Sequence, residues 1–197
     1  MPLLPRLPSL TDGPSVSSIS NGLISDILEL SMIESGRVAI EVRPVELEAI
    51  VNAVCSDLSA KAEARSIDLK NEVRDSIRVN ADPVRLEQML TNLIENAIKF
   101  NRESGSVVVT HRRSGDRDLI SVTDTGEGIL PEHVDRIFER FYRADRARTS
   151  DVGGTGLGLA IVKHLARLHN GEVSGRSQLG SGSTFTIELP SISAEQQ

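Results

Sequence analysis

The stretch that most constrains the fold is "DPVRLEQMLTNLIENAIKF", residues 82–100. Leu90, Leu93, Ile94, Ala97 and Ile98 recur at helical spacing and form one apolar stripe, which a helix has to bury against a core. Asp82 and Pro83 supply an N-cap and a first-turn residue, so the pattern predicts a helix from Pro83 to about Phe100. The opposite face carries Asn92, Asn96 and Lys99 at i, i+4, i+7. Asparagine is a poor interior helix former, because its amide competes for backbone hydrogen bonds. Two amides and an ammonium on one face are either a solvated surface or the wall of a polar site, and this helix alone does not decide between them.

The rest of the chain supplies a sheet for that helix to cover. Residues 1–18 hold four prolines and several serines without periodicity and read as a flexible tail. From Ser20 to Ser35, Leu23, Ile27 and Leu30, flanked by Ile24, Leu28 and Ile33, predict a short amphipathic helix ended by Gly36. So much apolar surface on about four turns needs a partner helix. "VAIEV" (38–42) alternates like a strand that Pro44 breaks, and residues 45–64 read as a helix. "SIDLKNEV" and "SIRVN" follow as strands, then "SVVVTHRR" and "DLISVTD" as a pair turned at "SGDR". Residues 126–154 show no clear regular pattern. A helix over about 155–169 and two last strands, "GEVSGRS" and "STFTIEL", complete the chain. Strands joined by short turns and interleaved with helices predict an α+β fold, a mixed sheet covered by helices on one face.

Composition narrows the function. A net charge of -6 and a pI near 5.3 argue against a nucleic-acid binder. With 3% aromatics and no Trp, a base-stacking platform has no material. Cys55 is alone and forms no internal disulfide, which suits a reducing compartment. No apolar run approaches the ~18 residues of a membrane span. The chain reads as cytoplasmic, including as the cytoplasmic part of a larger or membrane-bound sensor.

Two glycine-rich pieces carry the chemistry. "DTGEGI" (124–129) follows a strand, so Asp124 sits at a strand end where a carboxylate can face a pocket, and the glycines let backbone approach a flat ligand. "GGTGLGLAI" (153–161) opens into a helix, whose first amides and dipole suit phosphates. No Gly-Lys-Ser/Thr follows, so it is not a Walker A loop, and no strand precedes it as in a dinucleotide-binding fingerprint. Asn92 to Lys99 spans about 10 Å of helix, roughly an extended triphosphate. Amide oxygens suit Mg²⁺, which takes few protein ligands plus phosphates and water, and Lys99 offsets phosphate charge. In this order the elements imply a Mg-nucleotide site.

These residues resemble the catalytic and ATP-binding domain of two-component sensor histidine kinases, a Bergerat-type two-layer sandwich shared with gyrase and mismatch-repair ATPases. "QMLTNLIENAIKF" is similar to the N box, "DTGEGI" to G1, "RIFERFYRAD" to the F box, "GTGLGLAI" to G2 and "GSGSTFTIELP" to G3. The match covers about 43–190, and "DILELSMIESGRV" within 19–36 resembles the second helix of the dimerisation hairpin. The resemblance implies Asn96 as the Mg²⁺ ligand, Asn92 and Lys99 facing the phosphates, and Asp124 accepting from the adenine amino group. It implies Gly126 and Gly128 shaping the adenine pocket, and Gly154, Gly156 and Gly158 framing the phosphates. Ile129, Phe141, Thr155, Leu157 and Ser183 complete the expected ATP contacts, Ser183 standing where Thr is usual. Of Arg136, Arg140, Arg143, Arg146 and Arg148 in the lid, Arg143 is expected at the γ-phosphate, so Asn92, Lys99 and Arg143 form the expected catalytic set.

ATPase cousins carry a Glu where this chain has Asn92, which cannot act as a general base, and Glu95 would point elsewhere on the helix. The site is thus expected to hold ATP for transfer rather than to hydrolyse it. None of the histidines, His111, His133, His164 and His169, stands in the acceptor motif of His, acidic residue and Pro. The acceptor hairpin is then expected on a missing segment or another chain, with a response regulator as the further partner and a dimer contact through 19–36. A fragment, an engineered piece and a degenerate kinase remain open as origins. A non-catalytic nucleotide-binding regulatory module and an anti-sigma-type Ser/Thr kinase are the competing functions.

Overall fold

The computed structural model describes residues 23–28, 30–32, 35–36, 38–144 and 155–192. The expected tail over 1–18 lies outside the described residues. A mixed five-stranded sheet carries the domain, in the order β2-β4-β5-β7-β6, where β2 is Asp68–Asn71, β4 Ser106–Ser114, β5 Arg117–Asp124, β6 Glu172–Gln178 and β7 Gly182–Pro190. β2 runs parallel to β4, and the other pairs are antiparallel. Helices α1 (Leu47–Glu63), α2 (Pro83–Lys99) and α4 (Gly158–Leu168) form the second layer, α2 packing between the other two. A four-residue helix α3 (Pro131–Val134) lies in the stretch that showed no regular pattern.

The layers meet because period 2 faces period 3.6. Val107, Val109, Ile120, Val122, Phe185, Ile187 and Leu189 alternate along the three central strands and are buried. Against them lie Leu86, Met89, Leu90, Leu93, Ile94, Ala97 and Ile98 of α2, all buried, so the apolar stripe read from the sequence is the core stripe. α1 contributes Val51, Val54, Leu58 and Ala62, and α4 Ile161, Val162 and Leu165. On the far face, Ser121 and Thr123 pair with Thr186 and Thr184 through their hydroxyls, at 2.8 and 3.0 Å.

Two expectations are corrected. No strand forms over 38–42; β1 is Arg43–Glu46 and runs through Pro44. The Glu41 amide bonds the Asp82 carboxylate at 2.9 Å instead of a ladder partner, and a two-stranded sheet leaves an edge where proline is tolerated. The second correction concerns the helix expected from 45, which begins at Leu47 because β1 occupies the residues before it and pairs with β3 (Arg78–Ala81), outside the main sheet.

Three polar anchors fix these pieces to one another. Asp82 caps α2, accepting from Val84 and Arg85 amides at 3.0 and 3.1 Å. Its own N–H donates to His169 Nε2 at 3.0 Å while His169 Nδ1 donates to the Leu165 carbonyl at 2.7 Å, so α4 is latched to the start of α2. Asp118, fully buried, binds His111 at 2.8 Å and Arg113 at 2.9 Å, and Arg113 also reaches the Arg78 carbonyl. Preceding the domain, residues 23–28 and 30–32 are helical. Leu30 there is buried, but Ile24, Ile27, Leu28 and Met32 are exposed, leaving most of that apolar face open.

Candidate functional site

Asn92, Asn96 and Lys99 are all half-buried along one side of α2, where the helix ends beneath the G1 turn. Arg65, at the end of α1, donates to the carbonyls of Ile98, Lys99 and Asn101, satisfying the orphan groups of the α2 C-terminus. That contact fixes the backbone at Lys99, whose ammonium lies 5.1 Å from the centroid of the Phe100 ring. Burial depresses the Lys99 ammonium below its usual range, the Arg143 charge depresses it further, and Glu95 opposes both in part. Glu95 itself pairs with Lys61 of α1, away from Asn92 and Asn96. The start of α4 comes so near that a Cβ on Gly158 would lie 3.0 Å from Asn92 Oδ1. No side chain caps α4, so its first amides suit an anionic ligand.

Asp124 ends β5 on the face that the helices cover, between Val107 and Ser183 in register, and is 7% exposed. Its Oδ1 accepts from the Gly126 amide at 2.8 Å and the Ser183 amide at 3.3 Å. Both bonds fall on one oxygen, which leaves Oδ2 for an outside donor. Burial raises the carboxyl above the usual carboxylate range, and the two amide bonds offset only part of that. The glycines around it are steric necessities: a Cβ on Gly126 would meet the Phe100 carbonyl at 2.4 Å. One on Gly128, at φ +71°, would meet the Gln178 carbonyl at 2.1 Å. The Ile129 amide donates to Ser177 Oγ at 2.8 Å, and Ser177 also pairs with Ser183 Oγ, so the hydroxyl of Ser183 is engaged within the sheet.

The segment after α3 packs through Phe138, which meets Phe185 edge-on at 6.1 Å. Phe141 is exposed, sits at φ +58° and donates its N–H to the Gly156 carbonyl at 3.0 Å. Leu157 is wholly buried, so only its backbone can reach a ligand. Thr155 Oγ1 donates to Asp26 Oδ2 at 2.8 Å, tying the glycine-rich segment to the N-terminal helical residues. A cleft of about 430 Å³ opens beside Asn92, between Asp26 and the Arg85, Gln88 and Thr91 side of α2. Gly154, Arg146 and Arg148 lie outside the described residues. Of the histidines, His111 and His169 are spent on the structural bonds above, and His133 bonds Tyr142.

Sequence reasoning missed Asn101, 3% exposed. It joins the end of α2 to Ser106 and Thr125, with Nδ2 donating to the Ser106 carbonyl at 3.0 Å and Oδ1 accepting from Thr125. Its only signal was position, one residue beyond the predicted helix end. The Asp26–Thr155 contact had no sequence signal.

Comparison with known proteins agrees with this fold. The family described as histidine kinase-, DNA gyrase B-, and HSP90-like ATPase matches residues 81–193. The circadian input-output histidine kinase CikA of Synechococcus elongatus is 42% identical over 171 residues, covering 85% of this chain and 23% of that protein. The chain spans less than half the length of the curated relatives it matches. Full-length ShkA in complex with AMPPNP superposes with a TM-score of 0.80 at 32% identity, covering 90% of this chain and 37% of that one. The histidine kinase ThkA in complex with the response regulator protein TrrA gives 0.69 at 25% identity, covering 92% of this chain and 53% of that one. The chain belongs to the histidine kinase-, DNA gyrase B- and HSP90-like ATPase family and is a catalytic ATPase domain of the histidine-kinase type.

Proposed function

We propose that this domain binds Mg-ATP between α2 and the start of α4 and donates the γ-phosphate to a histidine on a dimerisation hairpin outside the domain. The observation that carries the reading is the approach of the start of α4 to the amide face of α2, where a Cβ on Gly158 would lie 3.0 Å from Asn92 Oδ1, with half-buried Lys99 farther along the same face. Uncapped helix amides facing side-chain amides and an ammonium suit a polyphosphate. Asp124 accepts the adenine amino group through Oδ2, and Gly126, Gly128 and Ile129 form the turn beneath the base. Gly156, Gly158 and Thr155 present backbone to the phosphates, while Ser183 acts chiefly by holding Asp124 through its amide.

The residues present also fit a magnesium ion. Among the described residues no group of three or more His, Cys, Asp or Glu could hold a metal by itself. An ion in this site would take the Asn96 amide oxygen together with phosphate oxygens and water, the ligand set that Mg²⁺ prefers. When bound, it neutralises phosphate charge. Asn92 offers water no base, so the site favours transfer over hydrolysis.

In this reading residues 43–190 form the catalytic unit and 19–36 belong to the second hairpin helix. Their open apolar face takes the first hairpin helix or a second copy. A response regulator receives the phosphate afterwards, as the ThkA complex suggests by analogy. We place the domain in the cytoplasm, where its ATP is; no helix among the described residues is long and apolar enough to cross a membrane.

The test incubates the chain with γ-labelled Mg-ATP, alone and with a hairpin polypeptide bearing a histidine followed by an acidic residue and proline. Acid-labile phosphate is expected on the hairpin and none on the chain, because in-line transfer needs the acceptor nitrogen within about 3–3.5 Å of the phosphorus. Labelling of His133 or His164 in the chain alone, lost on Asn96→Ala, overturns the assignment of the acceptor to another segment.

A further inference from the structure

The segment between G1 and the glycine-rich loop carries a second cluster that the nucleotide reading does not use. His133 Nδ1 lies 2.6 Å from the Tyr142 hydroxyl, and the two rings are 6.0 Å apart. On the same ring, the Arg136 guanidinium carbon lies 4.3 Å from the centroid, a cation–π distance, while Arg136 also pairs with Glu139 at 3.4 Å. His133 and Arg136 are one helical turn apart, and the Ile137 amide bonds the His133 carbonyl at 3.0 Å. That turn is anchored in the core by buried Ile137 and Phe138. Tyr142 is therefore held at its hydroxyl and on its face by residues of one turn.

What the grip holds is a strained turn. Phe141, immediately before Tyr142, sits at φ +58°, where a bulky side chain is an outlier that its surroundings must impose. Its N–H donates to the Gly156 carbonyl at 3.0 Å, the Tyr142 N–H to the Glu139 carbonyl at 3.3 Å, and Gly156 approaches so closely that a Cβ there would lie 3.1 Å from the Phe141 backbone. The next residue is Arg143, whose charge is felt at Lys99.

We propose that His133 and Tyr142 are positioning residues. Their hydrogen bond and the Arg136 stack lock the turn at Phe141 against Gly156, so that Arg143, two residues on, is held at the phosphate end of the site, and this lock sets the preference for a nucleoside triphosphate over the diphosphate. The inference rests on the nucleotide reading above. Tyr142 touches no phosphate; it acts through Arg143.

The experiment measures affinity for ADP and for a non-hydrolysable ATP analogue, both with Mg²⁺, by titration calorimetry on the whole chain. Tyr142→Phe, which removes only the hydroxyl, is expected to weaken the analogue about three- to tenfold, the range for one lost hydrogen bond, while ADP affinity stays within about twofold. His133→Leu is expected to do the same. His133→Asn, which keeps a polar atom at the place of Nδ1, is expected to restore most of the difference. In an Arg143→Ala background Tyr142→Phe is expected to add nothing, the signature of a residue acting through another. Equal losses for ADP and the analogue, or additive losses in the double variant, overturn the positioning role and leave the nucleotide site standing. An Arg143→Ala chain that discriminates the two nucleotides as the parent does overturns both this inference and the place given to Arg143. No nucleotide binding by the parent overturns the functional reading itself.

Discussion

Replacing Asp124 with asparagine separates binding from folding more cleanly than any other change in the site. The carboxylate receives two backbone N–H groups, from Gly126 at 2.8 Å and Ser183 at 3.3 Å, both on Oδ1. Asparagine keeps an oxygen there, so both bonds survive, and an NH₂ replaces Oδ2. An adenine amino group then meets a donor where it had met a charged acceptor. A hydrogen bond to a charged group contributes about 1.5–3 kcal/mol, and a factor of ten corresponds to about 1.4 kcal/mol. The dissociation constant for ADP is thus expected to rise about ten- to a hundredfold in titration calorimetry. Stability should move the other way. Burial raises the Asp124 carboxyl, so the folded state binds its proton more tightly than the unfolded chain does. Ionisation then costs the empty domain stability as pH rises through the folded value. Removing the charge is expected to leave the nucleotide-free melting temperature at neutral pH unchanged or slightly higher. An unchanged dissociation constant refutes the role of Asp124. A large fall in melting temperature refutes the claim that its fold-holding bonds are those an amide can replace.

Other consequences follow from neighbouring residues. Asn96→Ala is expected to abolish phosphoryl transfer and remove the Mg²⁺ dependence of ADP affinity, leaving metal-independent binding; equal metal dependence in both proteins would rule out Asn96 as ligand. Gly128→Ala forces a Cβ to within 2.1 Å of the Gln178 carbonyl at φ +71°, and a cost of about 1–3 kcal/mol or more is expected in urea unfolding. At Asp82, burial would raise the carboxyl, but amide bonds from Glu41, Arg85 and Val84 and the nearby His169 outweigh it and hold the group below its usual range. Its stabilisation is therefore present above the unfolded value of about 3.9 and lost as pH falls through the lower folded value. Asp82→Ala should cost about 1 kcal/mol at neutral pH and flatten the acid limb of the stability profile, measured by urea titration across acid pH.

The elements with local causes were legible from the chain alone. The apolar stripe and N-cap of α2 needed only helical period and the Asp82–Pro83 pair, and Asp124 with its glycines needed only a strand followed by residues that permit close approach. Ser177, Asn101 and His169 gave no such signal, because a polar residue becomes structural only when packing removes its water and brings a partner. Tertiary structure likewise decided that β3 leaves the main sheet to pair with β1, since strand partners are chosen by long-range burial rather than by propensity. It also decided that Thr155 meets Asp26 across 129 residues of chain. The sequence determined the family, through residue types that chemistry restricts. Only the fold brought Ser183 to Asp124 and Gly158 to Asn92, because residues distant in sequence become neighbours through the packing of the layers between them.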